Sequence, residues 1–340
     1  MKTIWVINEG SPGHLAQSLA LAQALKDEGA SRQMTNVDVV QRFSGLQRGI
    51  MRRIIGRSGS SIPTFLEKRI LQGMVLPEGE CSVPDLILAS GGKGVFAGRA
   101  LANRFEVPFV FIGERKPYPS EWFHTVFTPS AHEQGENDIL IDLIPTGVTP
   151  QKVAQAAVGS RRPEGVLWAM IIGGASRSHP YRDTDWQHLA EGMNQLAERY
   201  GIRWLLTTSR RTGASTEAQL KKHIQPTALA DAIWWDANPE KRMMAFLGSA
   251  ERVFVTQDSV TMVTECVASG KSVVVLRPQR EAFPPNSFIP SYLNRLQGQG
   301  YFKRVNINRM ISFDPFSENE SAPFYSVTER MLAALNLRLK

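Results

Sequence analysis

The stretch VPDLILASGGKGVFAGRALANRFEVPFVFIG limits the fold more than any other part of the chain. Its apolar run from Leu86 to Ala89 has no polar alternation, so that segment reads as a strand covered on both faces. A glycine-rich loop follows, then Phe96, Ala100 and Leu101 at helical spacing, then a second apolar run from Phe109 to Ile112. Strands buried on both faces and separated by amphipathic helices are the mark of a parallel sheet with helices on each side. The N-terminus repeats the unit, with a strand from Thr3 to Asn8, the turn GSPGH, and a helix through Leu15, Leu19, Ala22 and Leu25 that Gly29 stops. HTVFTPSAHE adds a strand at Val126 and Phe127.

The rhythm is interrupted once. TGVTPQKVAQAAVGSRRPEG, from Thr146 to Gly165, is polar with few large apolar residues and reads as a linker. After it come the strand of VLWAMIIGGASRSHPY and a helix with Trp186, Leu189, Met193, Leu196 and Tyr200 on one stripe. RWLLTTSRR, AIWWDA, RVFVTQDS and SVVVLRP supply further strands, with Trp234 and Trp235 taken as core. A helix from about Val327 to Leu337 ends the chain. At 340 residues the chain exceeds one ordinary core. We therefore expect two doubly wound Rossmann-like α/β domains, residues 1–150 and 165–325, facing a cleft, with residues 326–340 as a terminal helix.

Composition removes several classes. A 42% hydrophobic and 21% charged balance leaves no room for a long disordered region. Cys81 and Cys266 fit no disulfide or metal framework and read as two buried thiols in a reducing compartment. The opening MKTIWVINEGSPGH reads as a strand and not as a leader, and no window approaches 18 uninterrupted apolar residues. A net charge of +7 favours acidic partners. Nucleic acid is disfavoured, because no helix-turn-helix, zinc finger or aromatic platform is visible.

In open parallel sheets ligands bind beyond the carboxyl ends of the strands, which directs attention to the loops there. IIGGASRSH offers Gly173, Gly174 and Ser176, whose bare amides can approach a phosphate. LLTTSRRTG offers Thr208, Ser209, Arg210 and Arg211, hydroxyls and guanidiniums suited to phosphate or to a solvated basic turn. VFVTQDSVTMVTECVASGKSVVVL is the most specific: Asp258 or Ser259 caps a helix start, and Glu265 sits about two turns on. A carboxylate there can accept from both hydroxyls of a ribose while the helix start holds a diphosphate. In the first half, Glu9 and His14 compete as general base, since imidazole as a class exchanges protons near neutral pH. Gln17, Lys93 of the SGGKG loop and Glu114 are candidates for holding an acceptor, with Arg115 and Lys116 beside them. SGGKG is no Walker motif, because no Ser or Thr follows the GK pair.

Taken together, EGSPGHLAQSLALAQAL, IIGGASRSHPY, TTSRRT and QDSVTMVTECVASGKSVVVL resemble the mitochondrial-fission ELM-type ("elongated mitochondria") family over nearly the whole chain. Its bacterial members are read as glycosyltransferases of GT-B architecture, some tied to lipooligosaccharide synthesis. The resemblance implies a nucleotide-sugar site at Gly173, Gly174, Ser176, Thr208, Ser209, Arg210, Asp258, Ser259 and Glu265 in the C-terminal domain. It also implies an acceptor on the N-terminal domain and a final helix that crosses back to it. The family commonly has aspartate at the position of Glu9, and His14 alternates there with asparagine. The placement of His14 is similar to that of the histidine in the GT-B enzyme that builds the lipid-linked peptidoglycan precursor.

Between residues 42 and 69, Arg42, Arg48, Arg52, Arg53, Arg57, Lys68 and Arg69 alternate with Leu46, Ile50, Met51, Ile54 and Ile55, and Glu67 is the sole acid. Such a segment fits an anionic membrane surface or a cationic solvent face. The leading expectation is metal-independent transfer of a sugar from a nucleotide-sugar co-substrate to a lipid-linked saccharide acceptor, with no other cofactor, in the cytoplasm or peripheral on the inner membrane. A nucleotide-sugar epimerase and a non-catalytic interaction protein are the alternatives.

Overall fold

The computed structural model describes residues 3–28, 33–39, 44–57, 62–76, 83–132, 135–159, 163–316 and 327–338. Gly29, Arg42 and Cys81 lie outside the described residues, as do the side chains of Arg52, Ile55 and Arg57. The chain divides into two compact units, residues 1–147 with 326–340, and residues 148–325.

The first unit runs β1 (Thr3–Asn8), α1 (Pro12–Glu28), β2 (Gln33–Val39), α2 (Gly45–Arg57), α3 (Thr64–Leu71), β3 (Met74–Val75), β4 (Leu86–Ser90), α4 (Val95–Phe105), β5 (Phe109–Ile112), β6 (Thr125–Thr128) and β7 (Asp138–Leu140). Its sheet has the order β3-β2-β1-β4-β5-β6-β7, parallel except for β3. Strand alternation explains the two covered faces. Trp5, Ile7, Ile87, Ala89, Phe109 and Phe111 point into one core with Phe96 and Leu101 of α4 and Leu66 and Ile70 of α3. Ile4, Val6, Leu86, Leu88, Val110 and Ile112 point into the other, with Leu21, Ala22 and Leu25 of α1. That second core is completed by Met331, Leu332 and Leu335 of the last helix, α11 (Val327–Arg338).

The second unit runs α5 (Pro150–Val158), β8 (Val166–Ile171), α6 (Asp183–Tyr200), β9 (Ile202–Thr207), α7 (Gly213–His223), β10 (Leu229–Ile233), α8 (Met243–Ser249), β11 (Arg252–Thr256), α9 (Val260–Ala268), β12 (Ser272–Arg277), α10 (Ile289–Gly298) and β13 (Lys303–Asn306). All six strands are parallel in the order β10-β9-β8-β11-β12-β13. Trp168, Met170, Trp204, Leu206 and Phe254 pack under the α6 stripe of Trp186, Leu189, Met193 and Leu196. Leu167, Leu205 and Ile233 meet Phe246 of α8 on the opposite face.

Three expectations need correction. The stretch read as a linker contains α5, started by Thr149, whose hydroxyl accepts from the Lys152 amide at 3.2 Å, with Pro150 in the first turn. Only Val153 of that helix is buried, which is why its apolar pattern is faint. The basic segment holds two helices and not one, α2 ending at Arg57 and α3 starting at Thr64 directly after Pro63. Trp234 and Trp235 follow β10 instead of lying in it, and both are only partly buried.

Leu335 is fully buried and reaches the sheet from the far end of the sequence. Leu335→Ala is expected to lower the stability of the first unit by about 2–5 kcal/mol, read as a reduced urea midpoint.

Candidate functional site

Each sheet has one place where the strand order reverses, and a ligand of an open α/β sheet binds outside the carboxyl ends of the strands at that point. In the first unit it lies between β1 and β4. Asn8 ends β1 and shapes the exit, its Oδ1 accepting from the Gly10 amide at 3.0 Å while its Nδ2 donates to Asp38 at 2.6 Å. Glu9 is thereby turned inward, 3% exposed, and His14 in the first turn of α1 brings Nδ1 to 2.5 Å from Glu9 Oε1. Gly91, just after β4, forms the floor. With φ at +81° it adopts a backbone that side chains avoid, and a Cβ there would lie 2.1 Å from His14 Nδ1 and 2.6 Å from Glu9 Oε1.

A carboxylate only accepts, so a Glu9 carboxylate bonded at Nδ1 selects the neutral imidazole tautomer whose lone pair is on Nε2. The two residues that compete in the sequence are one pair in the structure. Glu9 Oε2 is buried without a hydrogen-bond partner, and the His14 side chain is 43% exposed. A cavity of about 460 Å³ opens over the pair, lined also by Arg48, Lys93, Glu114 and Lys116. Gln17 is not part of it. It is buried, and its Oε1 accepts from Ser90 Oγ at 2.5 Å, which ties α1 to β4.

In the second unit the order reverses between β8 and β11. Asp258, after β11, is wedged against Gly173, whose added Cβ would stand 2.1 Å from its Oδ2. Its carboxylate accepts from the Gly174 amide at 3.1 Å, Tyr181 Oη at 3.2 Å and Arg211 Nη2 at 2.6 Å, so one buried side chain joins the loops after β8, β9 and β11. Burial pushes the Asp258 carboxyl upward and the Tyr181 phenol well above its ordinary range. The helix cap is Ser259, whose hydroxyl accepts from the Met262 amide at 3.4 Å.

The remaining donor-side candidates separate into structural and free groups. Thr208 is buried, donating to Glu217 at 2.6 Å and accepting from the Trp235 amide at 2.8 Å. Ser209 donates to the Gly173 carbonyl, and Ser176 closes a turn by accepting from the His179 amide at 3.2 Å. Arg210 is exposed, and it is Arg211 that reaches Asp258. Glu265 is partly buried in α9, and desolvation raises its carboxyl to about 7.

Sequence reasoning missed a polar cluster beside these loops. Gln257, buried immediately after β11, contacts His179 Nε2 at 3.2 Å and donates to Glu281, which pairs with Arg277 at 2.7 Å. His179 Nδ1 and Gln257 Oε1 are buried without partners, and desolvation lowers the His179 ring below its usual range. The usable signal is position, because Gln257 and Arg277 are the residues at or just past two strand ends.

Among the described residues no three His, Cys, Asp or Glu side chains are grouped to hold a metal ion, and no helix is long and apolar enough to cross a membrane. Cys266 is a buried free thiol.

No curated protein sequence matches the chain. Solved structures do. UDP-GlcNAc 2-epimerase from Methanocaldococcus jannaschii is 13% identical, with 99% of this chain and 100% of that one covered and a TM-score of 0.58. A UDP-N-acetylglucosamine 2-epimerase structure from Listeria monocytogenes is 13% identical, covering 100% and 97%, at a TM-score of 0.56. An S. aureus MnaA–UDP co-structure is 15% identical, covering 100% and 97%, at 0.53. At these identities the likeness is one of fold, two doubly wound α/β units. The family model for mitochondrial fission ELM1 matches residues 12–331, and the chain belongs to that family.

Proposed function

We propose that the protein transfers a sugar from a nucleotide-sugar donor, bound at the strand ends of the second unit, to a hydroxyl of a lipid-linked saccharide acceptor bound by the first. The Glu9–His14 pair under an open cavity carries this reading. His14 Nε2 takes the hydroxyl proton as the acceptor oxygen bonds to the anomeric carbon, and the glycosidic C–O bond to the diphosphate breaks with its electrons leaving on phosphate. Glu9 holds the imidazole in the right tautomer and stabilises the cation that forms, the role a carboxylate has in a catalytic triad.

On the donor side, the start of α9 has no acidic residue in its first turn, so its amide dipoles favour a diphosphate there. Arg211, whose guanidinium gives one bond to Asp258 and has further N–H groups, flanks it, and stabilising the departing diphosphate with helix amides and a guanidinium needs no metal. Glu265 accepts from the ribose hydroxyls. The UDP named with the S. aureus structure makes uridine nucleotides the first to test. For the lipid, α2 and α3 expose Leu46, Ile50 and Phe65 among Arg48, Arg53, Lys68 and Arg69, beside an apolar cavity of about 170 Å³ lined by Ile50, Met51, Ile54, Leu66 and Ile70. That surface suits the face of an anionic membrane.

A second reading, a nucleotide-sugar epimerase, is favoured by the names of the matching Listeria and Methanocaldococcus structures. An epimerase needs no acceptor and has no use for the basic apolar surface. Incubation with UDP-GlcNAc alone separates the two: accumulation of its 2-epimer without an acceptor establishes epimerisation and ends the transfer reading.

A ligand of the native state raises its stability, so UDP or a UDP-sugar should increase the melting temperature, and failure of UDP, GDP, ADP and CMP nucleotides alike to do so overturns the proposal. Glu265→Gln should abolish the increase. His14→Ala should leave it intact and reduce turnover by about 10²–10⁴-fold, the usual contribution of a positioned base.

The Glu265 carboxyl also makes a pH signature. Its folded value of about 7 lies above the ordinary 4.5 of a glutamate carboxyl, so the folded state binds the extra proton and stability falls as pH rises from about 4.5 to about 7. Glu265→Gln removes that fall. In the absence of nucleotide the variant should match the native protein near pH 4.5 and exceed it above pH 7 by up to about 3 kcal/mol in urea denaturation.

A further inference from the structure

The cavity over the Glu9–His14 pair is cationic on its rim. Arg48 from α2, Lys93 from the loop after β4 and Lys116 from the loop after β5 all line it, against Glu9, already paired with His14, and Glu114. Lys93 and Lys116 are exposed, Arg48 is exposed as well, and the Lys116 ammonium is anchored beside the opening by the His132 carbonyl at 2.9 Å. Three separate segments therefore bring cations to one opening that holds only the carboxylates of Glu9 and Glu114, a balance that leaves the rim positive and attractive to an anion.

The backbone adds to the same field. Ser11 and His14 belong to the start of the 17-residue α1, and Gly92 and Lys93 immediately precede the 11-residue α4, so two helix N-termini border the cavity. Neither has an acidic side chain in its first turn, and α4 has no side-chain cap. Their partial positive charges are left for something else. Glu9 supplies an independent sign of a ligand, because its Oε2 is buried in the floor with no partner and can accept from a hydroxyl. The cavity thus has one end that takes a hydroxyl and one that takes an anion.

We propose that this cavity binds a phosphate ester that also carries a free hydroxyl, the phosphate held by Arg48, Lys93 and Lys116 and the hydroxyl directed to Glu9 and His14. This deepens the transfer reading by naming the acceptor as a phosphate-bearing alcohol, and only the word acceptor rests on that reading. A phosphate fits better than a carboxylate. Three cations and two helix starts from different directions match a group with three oxygens, whereas a planar carboxylate presents two.

The test uses the full chain at pH 7 and follows the imidazole NMR signal of His14, assigned with His14→Gln. Glycerol 3-phosphate should shift that signal in a saturable way, and glycerol at the same concentration should not. Arg48→Gln/Lys93→Gln should weaken the phosphate ester by about tenfold or more, as expected for loss of charge-assisted hydrogen bonds, with an unchanged melting temperature. Lys26→Gln/Lys241→Gln, which removes the same charge from exposed positions elsewhere, should bind as the native protein does. Equal shifts from glycerol and glycerol 3-phosphate, or equal weakening in both double variants, would overturn the proposal.

Vesicles distinguish the source of the phosphate. Sedimentation with phosphatidic acid in phosphatidylcholine vesicles, competed by glycerol 3-phosphate and lost in Arg48→Gln/Lys93→Gln, assigns it to a lipid headgroup. Binding of glycerol 3-phosphate without such competition assigns it to a soluble ester. The nucleotide melting experiment is independent: its failure removes the transfer reading and leaves the phosphate site standing, while an unmoved His14 removes the phosphate site alone.

Discussion

A parallel strand covered on both faces has only its ends free for chemistry, and the central strands of both sheets are of this kind. Side chains along β1, β4 and β5 alternate strictly between two cores, so none of them faces solvent. Polar residues are excluded from the strand middles by the cost of burying an unpaired polar group, and they gather where the backbone leaves the sheet. At the point of strand-order reversal two such exits diverge, and that is where Glu9 and Gly91 meet in one unit and Asp258 and Gly173 in the other.

The two meeting points use one device in different ways. Each presses a buried carboxylate against a glycine, and the space of the missing Cβ is taken by Asp258 at Gly173 and by the His14 ring together with Glu9 at Gly91. In the second unit the Asp258 carboxylate is saturated by an amide, a phenol and a guanidinium, so its effect is to fix three loops in register. In the first unit the Glu9 carboxylate engages His14 through one oxygen and leaves the other unpartnered. Saturation makes a scaffold of Asp258, whereas the unmet acceptor of Glu9 beside an exposed imidazole is what the proposed chemistry draws on.

The strands were legible because apolar runs bounded by glycine, serine and threonine have few other solutions, and β1, β4 and β5 begin and end within a residue of the expected places. The half-exposed strands β2, β7 and β13 carry no such run and escaped notice. α5 escaped for a related reason, since it buries one large side chain and its start is marked only by a threonine and a proline. At the site, residue types were readable and phases were not. The sequence presents Arg210 and Arg211 as equals, and the turn sends Arg211 inward to Asp258 while Arg210 faces solvent. Gln17 looked like a polar lining residue, yet its helix phase points it at Ser90.

The contrast between Asp258 and Glu265 shows why adjacent carboxylates in one motif take different chemical parts. Both are largely desolvated, which favours the protonated form. Asp258 has a guanidinium at 2.6 Å and a backbone amide to oppose that cost, so its charge is held by the fold itself. Glu265 has desolvation as the sole cause of its shift, with no opposing charge from the chain. A carboxyl placed near neutrality by burial alone regains its charge most readily when a ligand brings hydrogen-bond donors to it. The vicinal hydroxyls of a ribose are such donors, and they lower its proton affinity as they bind. Of the two acids in the motif, Glu265 is therefore the one whose charge the fold leaves unmatched, and that is the property the proposed nucleotide site uses.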